Sequence, residues 1–254
     1  MKMFTWRFVR MWQRNRDVFL RLWHAEAPGF VAEPVLVLLA MGMGLGAYVG
    51  MVEGQSYIEY IVPGIIASYG MFSASFECTY GSFFRMEERK TYDAIIATPL
   101  NVEDVIAGEI FWGATRAMLT GSGILIVATI FQLVHSPWAL LIPLLSFAGG
   151  VLFSSIAILY TSLVPSFYSF NYYFTLFITP MFFFSGVFFP LSNFPEIVGR
   201  ISMVIPLTPV VIISRALVSG KVDAGLLGAL GIVVVLAVLF FSVALVTMRR
   251  RLTV

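Results

Sequence analysis

The chain has 254 residues, of which 59% are hydrophobic and 12% charged, with a formal net charge of +2 and a mean hydropathy of +0.90. Because soluble domains contain about 25% charged residues, this composition excludes an ordinary soluble domain and indicates an integral membrane protein. The small net charge argues against a nucleic-acid partner. One cysteine and two histidines cannot form a disulfide framework or a common zinc site, so no metal is expected.

The first 29 residues mix basic and aromatic side chains. Arg7, Arg10 and Arg14 occur among Trp6 and Trp12, and the segment lacks the compact apolar run of a cleavable signal peptide. This pattern predicts an N-terminal amphipathic helix over residues 1–29 that lies in the cytoplasmic membrane interface. Residues 30–254 are predicted to form a single transmembrane domain.

Six charge-poor segments are long enough to cross a membrane, which requires about 20 apolar residues. Proline-containing polar turns at 135–137 and 164–166 divide the longest uncharged run. The sequence therefore predicts an all-α membrane protein with six transmembrane helices. The predicted spans are residues 34–52, 61–84, 106–133, 138–163, 167–189 and 224–248.

The first span contains three glycines at four-residue spacing, Gly42, Gly46 and Gly50. On a helix this spacing puts small residues on one face and permits close helix contact. We expect this face to serve helix packing inside the subunit. A seam between two copies of the chain is the other possibility.

Glu77 and Arg116 are the charges deepest in the predicted membrane region, in spans two and three. Each lies about 12–15 Å from the cytoplasmic end of its helix at 1.5 Å per residue, so the two side chains could meet. One hypothesis is a structural role, either as an ion pair that locks the two spans together or with Arg116 snorkelling to the membrane surface. The other is a gate or substrate contact. We favour the structural pair, because buried ion pairs often specify an arrangement.

The segment 85–104 between spans two and three is predicted to be a cytoplasmic loop with a short amphipathic helix. Tyr92, Ile95 and Ile96 are expected to be exposed apolar anchors on this helix. An ordinary solvated loop is the alternative. The candidate contact residues of the loop are Arg85, Glu87, Glu88, Arg89, Lys90, Tyr92, Asp93, Ile95, Ile96 and Pro99.

The fifth span is rich in aromatic residues, among which Tyr172, Tyr173 and Phe174 are candidates for the wall of a transport path. Aromatic rings stack on sugars and hold acyl chains, but they serve lipid contact and packing equally well. Both interpretations of these three residues stay open at this point.

Residues 190–220 follow the fifth span and contain signals for two short helices. Asn193 and Glu196 have the spacing of a capping box at the start of the first helix. Pro209 marks the start of the second helix, and Gly220 is typical of its end. Each helix is too short to cross the membrane and too apolar to be solvated. The sequence therefore predicts a re-entrant or surface-lying helical hairpin in the outer leaflet, between spans five and six.

Basic residues assign the sides of the membrane. They precede span one, follow span two and end the chain at 249–251, whereas the short loops at 53–59 and 132–137 contain no lysine or arginine. By the positive-inside rule, both termini and the 85–104 loop are expected to be cytoplasmic, and with six spans the 164–166 turn lies on the same side.

Two stretches resemble a known family. ITPMFFFSGVFFPLSNFPEIVGRISMVIPLTPVVIISRAL (178–217) and RMEERKTYDAIIATPLN (85–101) are similar to the permease subunits of type-2 ABC exporters, particularly the branch that includes nodulation-factor (lipo-oligosaccharide) exporters. The resemblance implies a multi-pass protein of the bacterial inner membrane. It also implies that two copies of the chain assemble with two copies of a separate ABC ATPase, which carries ATP and Mg.

By this resemblance, the short helix in the 85–104 loop is the coupling helix that contacts the ATPase. The chain contains no G-x-x-x-x-G-K-[ST] motif, so it is expected to bind no ATP itself through such a loop. The expected function is ATP-driven export of an amphipathic or lipid-linked substrate, such as a lipo-oligosaccharide, a glycan or a drug. Membrane lipid is the remaining expected partner.

Two other classes of function stay open as alternatives. An ion-coupled secondary transporter would use Glu77 but normally needs several intramembrane acids. A membrane-embedded transferase would need a convergent cluster of catalytic groups, whereas His24 and His135 fall on opposite sides of the predicted topology. No nucleophile with a base and an orienting group is evident, so we expect a permease subunit and no enzyme.

Overall fold

The computed structural model describes residues 5–253, except for the side chains of Ala27, Phe30, Val31 and Asp93. The α-helices are α1 (Phe8–Leu39), α2 (Gly46–Val49), α3 (Tyr57–Phe76), α4 (Thr91–Ile96), α5 (Val102–Ile130), α6 (Ile142–Leu163), α7 (Phe170–Tyr173), α8 (Thr179–Phe184), α9 (Glu196–Val204), α10 (Leu207–Ser219) and α11 (Gly225–Leu252). Short π-helical segments cover Ala40–Leu45, Glu77–Gly81, Phe84–Glu88 and Phe174–Ile178, and 3₁₀ turns cover Pro137–Leu141, Phe167–Ser169 and Leu191–Asn193.

Five segments of the described chain are long and apolar enough to cross a membrane, and they correspond to predicted spans one to four and six. These segments are Ala32–Val49, Tyr57–Glu88, Val102–Ile130, Pro137–Leu163 and Gly225–Leu252. Helices α9 and α10 together would make a sixth, but they are bent by 89° where they join. By length and composition alone, the described chain therefore contains five candidate crossings, or six if this bent pair is counted as one.

The predicted fifth span differs from the long helix expected over residues 167–189. It consists of a 3₁₀ turn, α7, a π segment and α8, and it ends at Phe184. Residues 185–189 form bends, and Gly186 has φ +78°. A residue with a left-handed backbone conformation at this point ends the helix. The helix therefore ends within the apolar run and not where the amino-acid composition changes.

The expected N-terminal interface helix is continuous with the first span. Helix α1 runs through Pro28 and Pro34 without a break, so residue 29 is not a helix boundary. The aromatic side of α1 packs on α5: the rings of Phe8 and Phe111 are 5.0 Å apart, and Trp12 Nε1 donates to Thr115 Oγ1 at 2.9 Å. Because α5 covers this apolar side, the membrane surface is not its only partner.

The second span extends past its predicted end at residue 84. Two π segments carry the helix on from Phe76 to Glu88, so the connecting loop covers only residues 89–101. Helix α5 also begins earlier than predicted, at Val102, and its start is capped reciprocally by Asn101 and Asp104. The prediction of a loop over 85–104 was therefore wrong at both ends, because charged residues continue both helices beyond the apolar spans.

The loop between the first two spans contains a small β-ribbon that the all-α prediction did not include. Strands β1 (Met51–Val52) and β2 (Gln55–Ser56) pair antiparallel. Ser56 and Glu59 form a capping box at the start of α3, so the helix begins four residues before its predicted start.

The segment after span five forms the expected pair of short helices at a sharp angle, but one of its caps was wrongly predicted. Pro195 precedes α9 without a side-chain cap, and Glu196 instead pairs with Arg200 one turn later on the exposed surface. The end of α10 is confirmed, since Gly220 adopts φ +79°.

Contacts at the ends of the bundle group the connecting segments into two sets. Arg7 Nη1 donates to the carbonyl of Pro99 at 2.6 Å, and Arg251 Nη1 donates to the carbonyl of Val164 at 2.7 Å. The N-terminal segment, the 89–101 loop, the 164–166 turn and the end of α11 therefore share one end of the bundle, as the sequence predicted. The second set, at the opposite end of the bundle, contains Glu59 and His135, and His135 Nε2 lies 3.0 Å from Glu59 Oε1.

Helices α5 and α6 form the centre of the fold, with α1, α3 and α11 packed around them. The two helices approach each other closely at Gly150, where a Cβ atom would lie 2.7 Å from Ala114 Cα and 2.8 Å from Ala117 Cβ. Real Cβ atoms do not approach backbone atoms so closely, so any side chain here would push the helices apart.

Gly150→Ala is therefore expected to destabilise the protein, even though alanine is more favourable than glycine in a helix by about 1 kcal/mol. Overpacking costs about 1–3 kcal/mol, so the apparent melting temperature in detergent should fall by several degrees. Gly149→Ala is the matched control, because its Cβ would meet Val210 at an ordinary 3.4 Å. Equal melting temperatures for the two variants would contradict the close packing of α5 on α6.

Candidate functional site

Five charged side chains form a connected group near the end of the bundle that carries the 89–101 loop; we call it the ion cluster. At its centre, Arg85 contacts two carboxylates, with Nη2 2.8 Å from Glu77 Oε1 and 2.5 Å from Glu109 Oε2. Its Nε also donates to Glu109 Oε1 at 3.0 Å, which makes the second contact bidentate. The ion cluster comprises Glu26, Glu77, Arg85, Glu109 and Arg116.

The second half of the ion cluster is centred on Arg116. Its Nε lies 3.5 Å from Glu77 Oε2, and its Nη1 pairs with Glu26 of α1. Glu77 and Arg116 thus meet, as their predicted depths allowed, but Glu77 is shared between two arginines. The cluster joins α1, the extended end of α3, and α5.

Polar neighbours complete the hydrogen bonding of the buried carboxylate in this group. Glu109 has no exposed side-chain surface, and besides Arg85 it accepts hydrogen bonds from Ser82 Oγ at 2.9 Å and Asn15 Nδ2 at 3.3 Å. Burying an ion is costly unless it is paired and hydrogen-bonded. This arrangement satisfies that requirement with groups from three segments of the chain.

Sequence reasoning missed three members of the cluster for identifiable reasons. Arg85 was assigned to the loop because the predicted span ended at residue 84, and Glu26 was assigned to a surface helix. Glu109 lies seven residues before Arg116 on α5, which is two helical turns and therefore the same face. That spacing is the signal that could have placed Glu109 on the same face of α5 as Arg116.

The structure separates the predicted loop residues into buried and exposed sets. Arg85 belongs to the ion cluster, and Glu87 Oε1 accepts from Arg251 Nη2 at 2.9 Å. Tyr92 is only 1% exposed, so its prediction as an exposed anchor was wrong; burial raises the pKa of Tyr92 well above its usual range. Ile95 and Ile96 are half-buried against the core.

The exposed part of this connection is small and polar, and we call it the loop face. The side chain of Asp93 lies outside the part of the chain that is described. The loop face consists of Glu88, Arg89, Lys90, Ala94, Ala97, Thr98 and Pro99.

Arg251 fixes the end of α11 beside the loop. Its Nη1 donates to the carbonyls of Thr161 at 2.5 Å and Val164 at 2.7 Å, which end α6, and its Nη2 donates to Glu87. A cation at a helix C-terminus is favoured by the unpaired carbonyls there. Because of these contacts, a displacement of the loop would also displace α3, α6 and α11.

The three candidate path residues do not form one wall. Tyr173 is 2% exposed, and its hydroxyl lies 3.4 Å from Ser75 Oγ. Tyr172 is 67% exposed on the outside of the chain, and the ring of Phe174 stacks on Phe76 at 4.2 Å. Packing inside the subunit thus accounts for Tyr173 and Phe174, whereas Tyr172 faces outward.

The three glycines of the first span also differ. A Cβ at Gly42 would lie 2.5 Å from the side chain of Ile58, and one at Gly46 would lie 3.7 Å from Tyr57. Gly50 follows the helix at φ +70°, and a Cβ at this position would have no neighbour within 4 Å. Its expected place on the same packing face was wrong, because the helix ends before it.

Within the described residues, no three His, Cys, Asp or Glu side chains are grouped so that they could hold a metal ion.

Comparison with known proteins gives consistent matches over nearly the whole chain. The family model for the ABC-2 type transporter matches residues 5–219. Nodulation protein J of Rhizobium leguminosarum bv. viciae is 35% identical over 96% of this chain and 95% of its own. Nodulation protein J of Sinorhizobium fredii (strain NBRC 101917 / NGR234) is 33% identical over 97% and 94%. The inner membrane transport permease YadH of Escherichia coli (strain K12) is 25% identical over 92% and 91%. No solved structure matches the chain.

Arg85→Gln is expected to destabilise the protein by about 3–5 kcal/mol, because it leaves two buried carboxylates without their shared cation. The measurement is thermal unfolding of the purified protein in detergent. Adding Glu109→Gln should restore part of the loss, since it removes one of the two unpaired charges.

Arg200→Gln is the control for this comparison. It breaks an ion pair whose side chains are 78% and 79% exposed, and such pairs contribute about 0–1 kcal/mol. If Arg85→Gln were as mild as Arg200→Gln, the structural role of the ion cluster would be refuted.

Proposed function

The chain belongs to the ABC-2 type transporter family, and on this premise we propose that it is the membrane subunit of an ATP-driven exporter. Membership makes it a permease, which is a transport component and not an enzyme. Two copies of the chain would assemble with two copies of an ABC ATPase that binds ATP and Mg. The protein would lie in the bacterial inner membrane, with residues 5–7, the loop face and residues 249–251 in the cytoplasm.

The observation that carries this proposal is the loop face and its attachment. Residues 89–101 connect two long helices directly, without a flexible linker, and Tyr92 is buried beneath the exposed surface. The Arg85–Glu109 contact ties the two helices together next to the loop. A force applied to the loop face is therefore transmitted to the helices as a rigid-body movement.

The ATPase would supply that force. Closure of two ATPase subunits on ATP would move the loop faces of two permease copies, and Arg251 would carry the motion on to α6 and α11. The helices would then alternate between arrangements that open to opposite sides. The ion cluster would keep α1, α3 and α5 together during this movement.

An amphipathic or lipid-linked molecule is the substrate class that we propose. Two of the matched relatives bear the name Nodulation protein J, and the sequence resembles the branch that includes lipo-oligosaccharide exporters. The outward-facing rings of Tyr172 and Phe177 suit contact with sugars or acyl chains. A glycan or a drug of similar character would fit the same chemistry.

The environment of Glu77 argues against ion-coupled transport by this residue. Its carboxylate contacts both Arg85 and Arg116, at 2.8 Å and 3.5 Å. A carrier of protons must exchange them readily, whereas a carboxylate held by two arginines serves to join helices.

Ala97→Arg is expected to reduce the amount of ABC ATPase that co-purifies with the chain by about tenfold, because a long charged side chain would disrupt a close interface. The two proteins would be co-expressed and purified through a tag on the permease. Ala224→Arg is the control, since Ala224 is also exposed but lies at the opposite end of the bundle. Equal ATPase recovery with both variants would contradict docking at the loop face.

A further inference from the structure

A cleft opens between α1 and the extended end of α3, beside the ion cluster, with a volume of about 200 Å³. This volume is below the range of about 300–1,000 Å³ for drug-sized pockets, so it suits a single polar group better than a whole amphiphile. The lining residues are Arg14, Asn15, Val18, Phe19, Glu26, Glu77, Gly81, Phe84, Arg85, Arg89, Trp112 and Arg116.

The charges around the cleft do not balance. Four arginines and two glutamates line it, and Glu109, which contacts Arg85, brings the sum to four positive and three negative charges, or +1. Within the described residues, no carboxylate lies within 4.0 Å of Arg14 or Arg89. Arg14 Nη1 donates to Asn15 Oδ1 at 2.9 Å, and the Arg89 guanidinium lies 5.1 Å from the ring centre of Phe84.

The surroundings of Arg14 are partly buried and electropositive. Partial burial lowers the pKa of Arg14; nearby Glu109 opposes this effect, and the positive charges of Arg85 and Arg89 add to it. Glu109 is already bonded to Arg85. A negative group placed between Arg14 and Arg89 would therefore relieve repulsion that the described side chains leave uncompensated.

We propose that this cleft binds the phosphate headgroup of an anionic phospholipid from the adjacent leaflet. Guanidinium groups bind phosphate oxygens in a bidentate manner, and Arg14 and Arg89 supply two such groups. Val18 and Phe84 are exposed beside them, at 43% and 41%, and offer apolar contact to acyl chains. Arg89 directly follows the end of the span Tyr57–Glu88, and Arg14 lines the same cleft, so both arginines lie close to the level of lipid headgroups.

A membrane lipid fits this site better than a free phosphate ion, because the apolar side chains at the cleft contribute only to an acylated ligand. The inference does not depend on the proposed function, since lipid binding requires neither the ATPase nor an exported substrate. A lipid at this position would contact α1 and the end of α3 and so bridge two helices that also meet in the ion cluster.

The test is native mass spectrometry of the purified full chain in detergent, titrated with dioleoyl phosphatidylglycerol and, separately, with dioleoyl phosphatidylcholine. The Arg14→Gln/Arg89→Gln variant should lose the preference for phosphatidylglycerol by about tenfold or more, since each basic residue near the surface contributes about 1 kcal/mol to anionic lipid binding. The matched control is Arg10→Gln/Arg21→Gln, which removes two exposed charges of α1 that lie outside the cleft.

Retention of the preference in the cleft variant would overturn the proposal, as would an equal loss in both variants, which indicates non-specific attraction to basic residues. Thermal unfolding of both variants in the same detergent checks that they fold. Glycerol 3-phosphate serves as a water-soluble competitor. If it binds the unaltered chain as tightly as phosphatidylglycerol does, the site takes a free phosphate group and the assignment to a lipid is wrong.

Discussion

A charged side chain inside a membrane protein requires a partner, and the contacts of Arg85 with Glu77 and Glu109 meet this requirement by joining two helices. The protein interior around Glu109 excludes water, so an unpaired ion there would cost several kcal/mol. Pairing across helices therefore fixes how far α3 and α5 can separate. Glu26 and Arg116 extend the same constraint to α1.

This constraint explains how a short polar connection can act as part of a rigid body. The loop face is exposed, but the residues on either side of it belong to helices that are tied together by the ion cluster and by Arg251. Close packing at Gly150 then connects α5 to α6 at the centre of the bundle. In the proposed mechanism, a movement imposed at the loop face would thus be shared by the long helices.

Composition and periodicity predicted the membrane class, most of the spans and the common side of the connecting segments, because these depend on hydropathy and on the distribution of charge. The ends of α3 and α5 could not be predicted in this way, since Arg85 and Glu109 are buried only because they face each other. Tyr92 was misplaced for the same reason: its burial depends on a tertiary contact. The end of α8 before Gly186 depends on backbone conformation within an uninterrupted apolar run.

The most direct measurement is site-specific photo-cross-linking in cells, with a photoreactive amino acid introduced at Thr98 on the loop face or at Asp223 at the opposite end. Cross-linked partners would be identified by mass spectrometry after purification of the chain. We predict that an ABC ATPase is cross-linked at Thr98 and not at Asp223. Membrane insertion without any ATPase cross-link at Thr98, or an ATPase cross-link at Asp223 alone, would contradict coupling through the loop face.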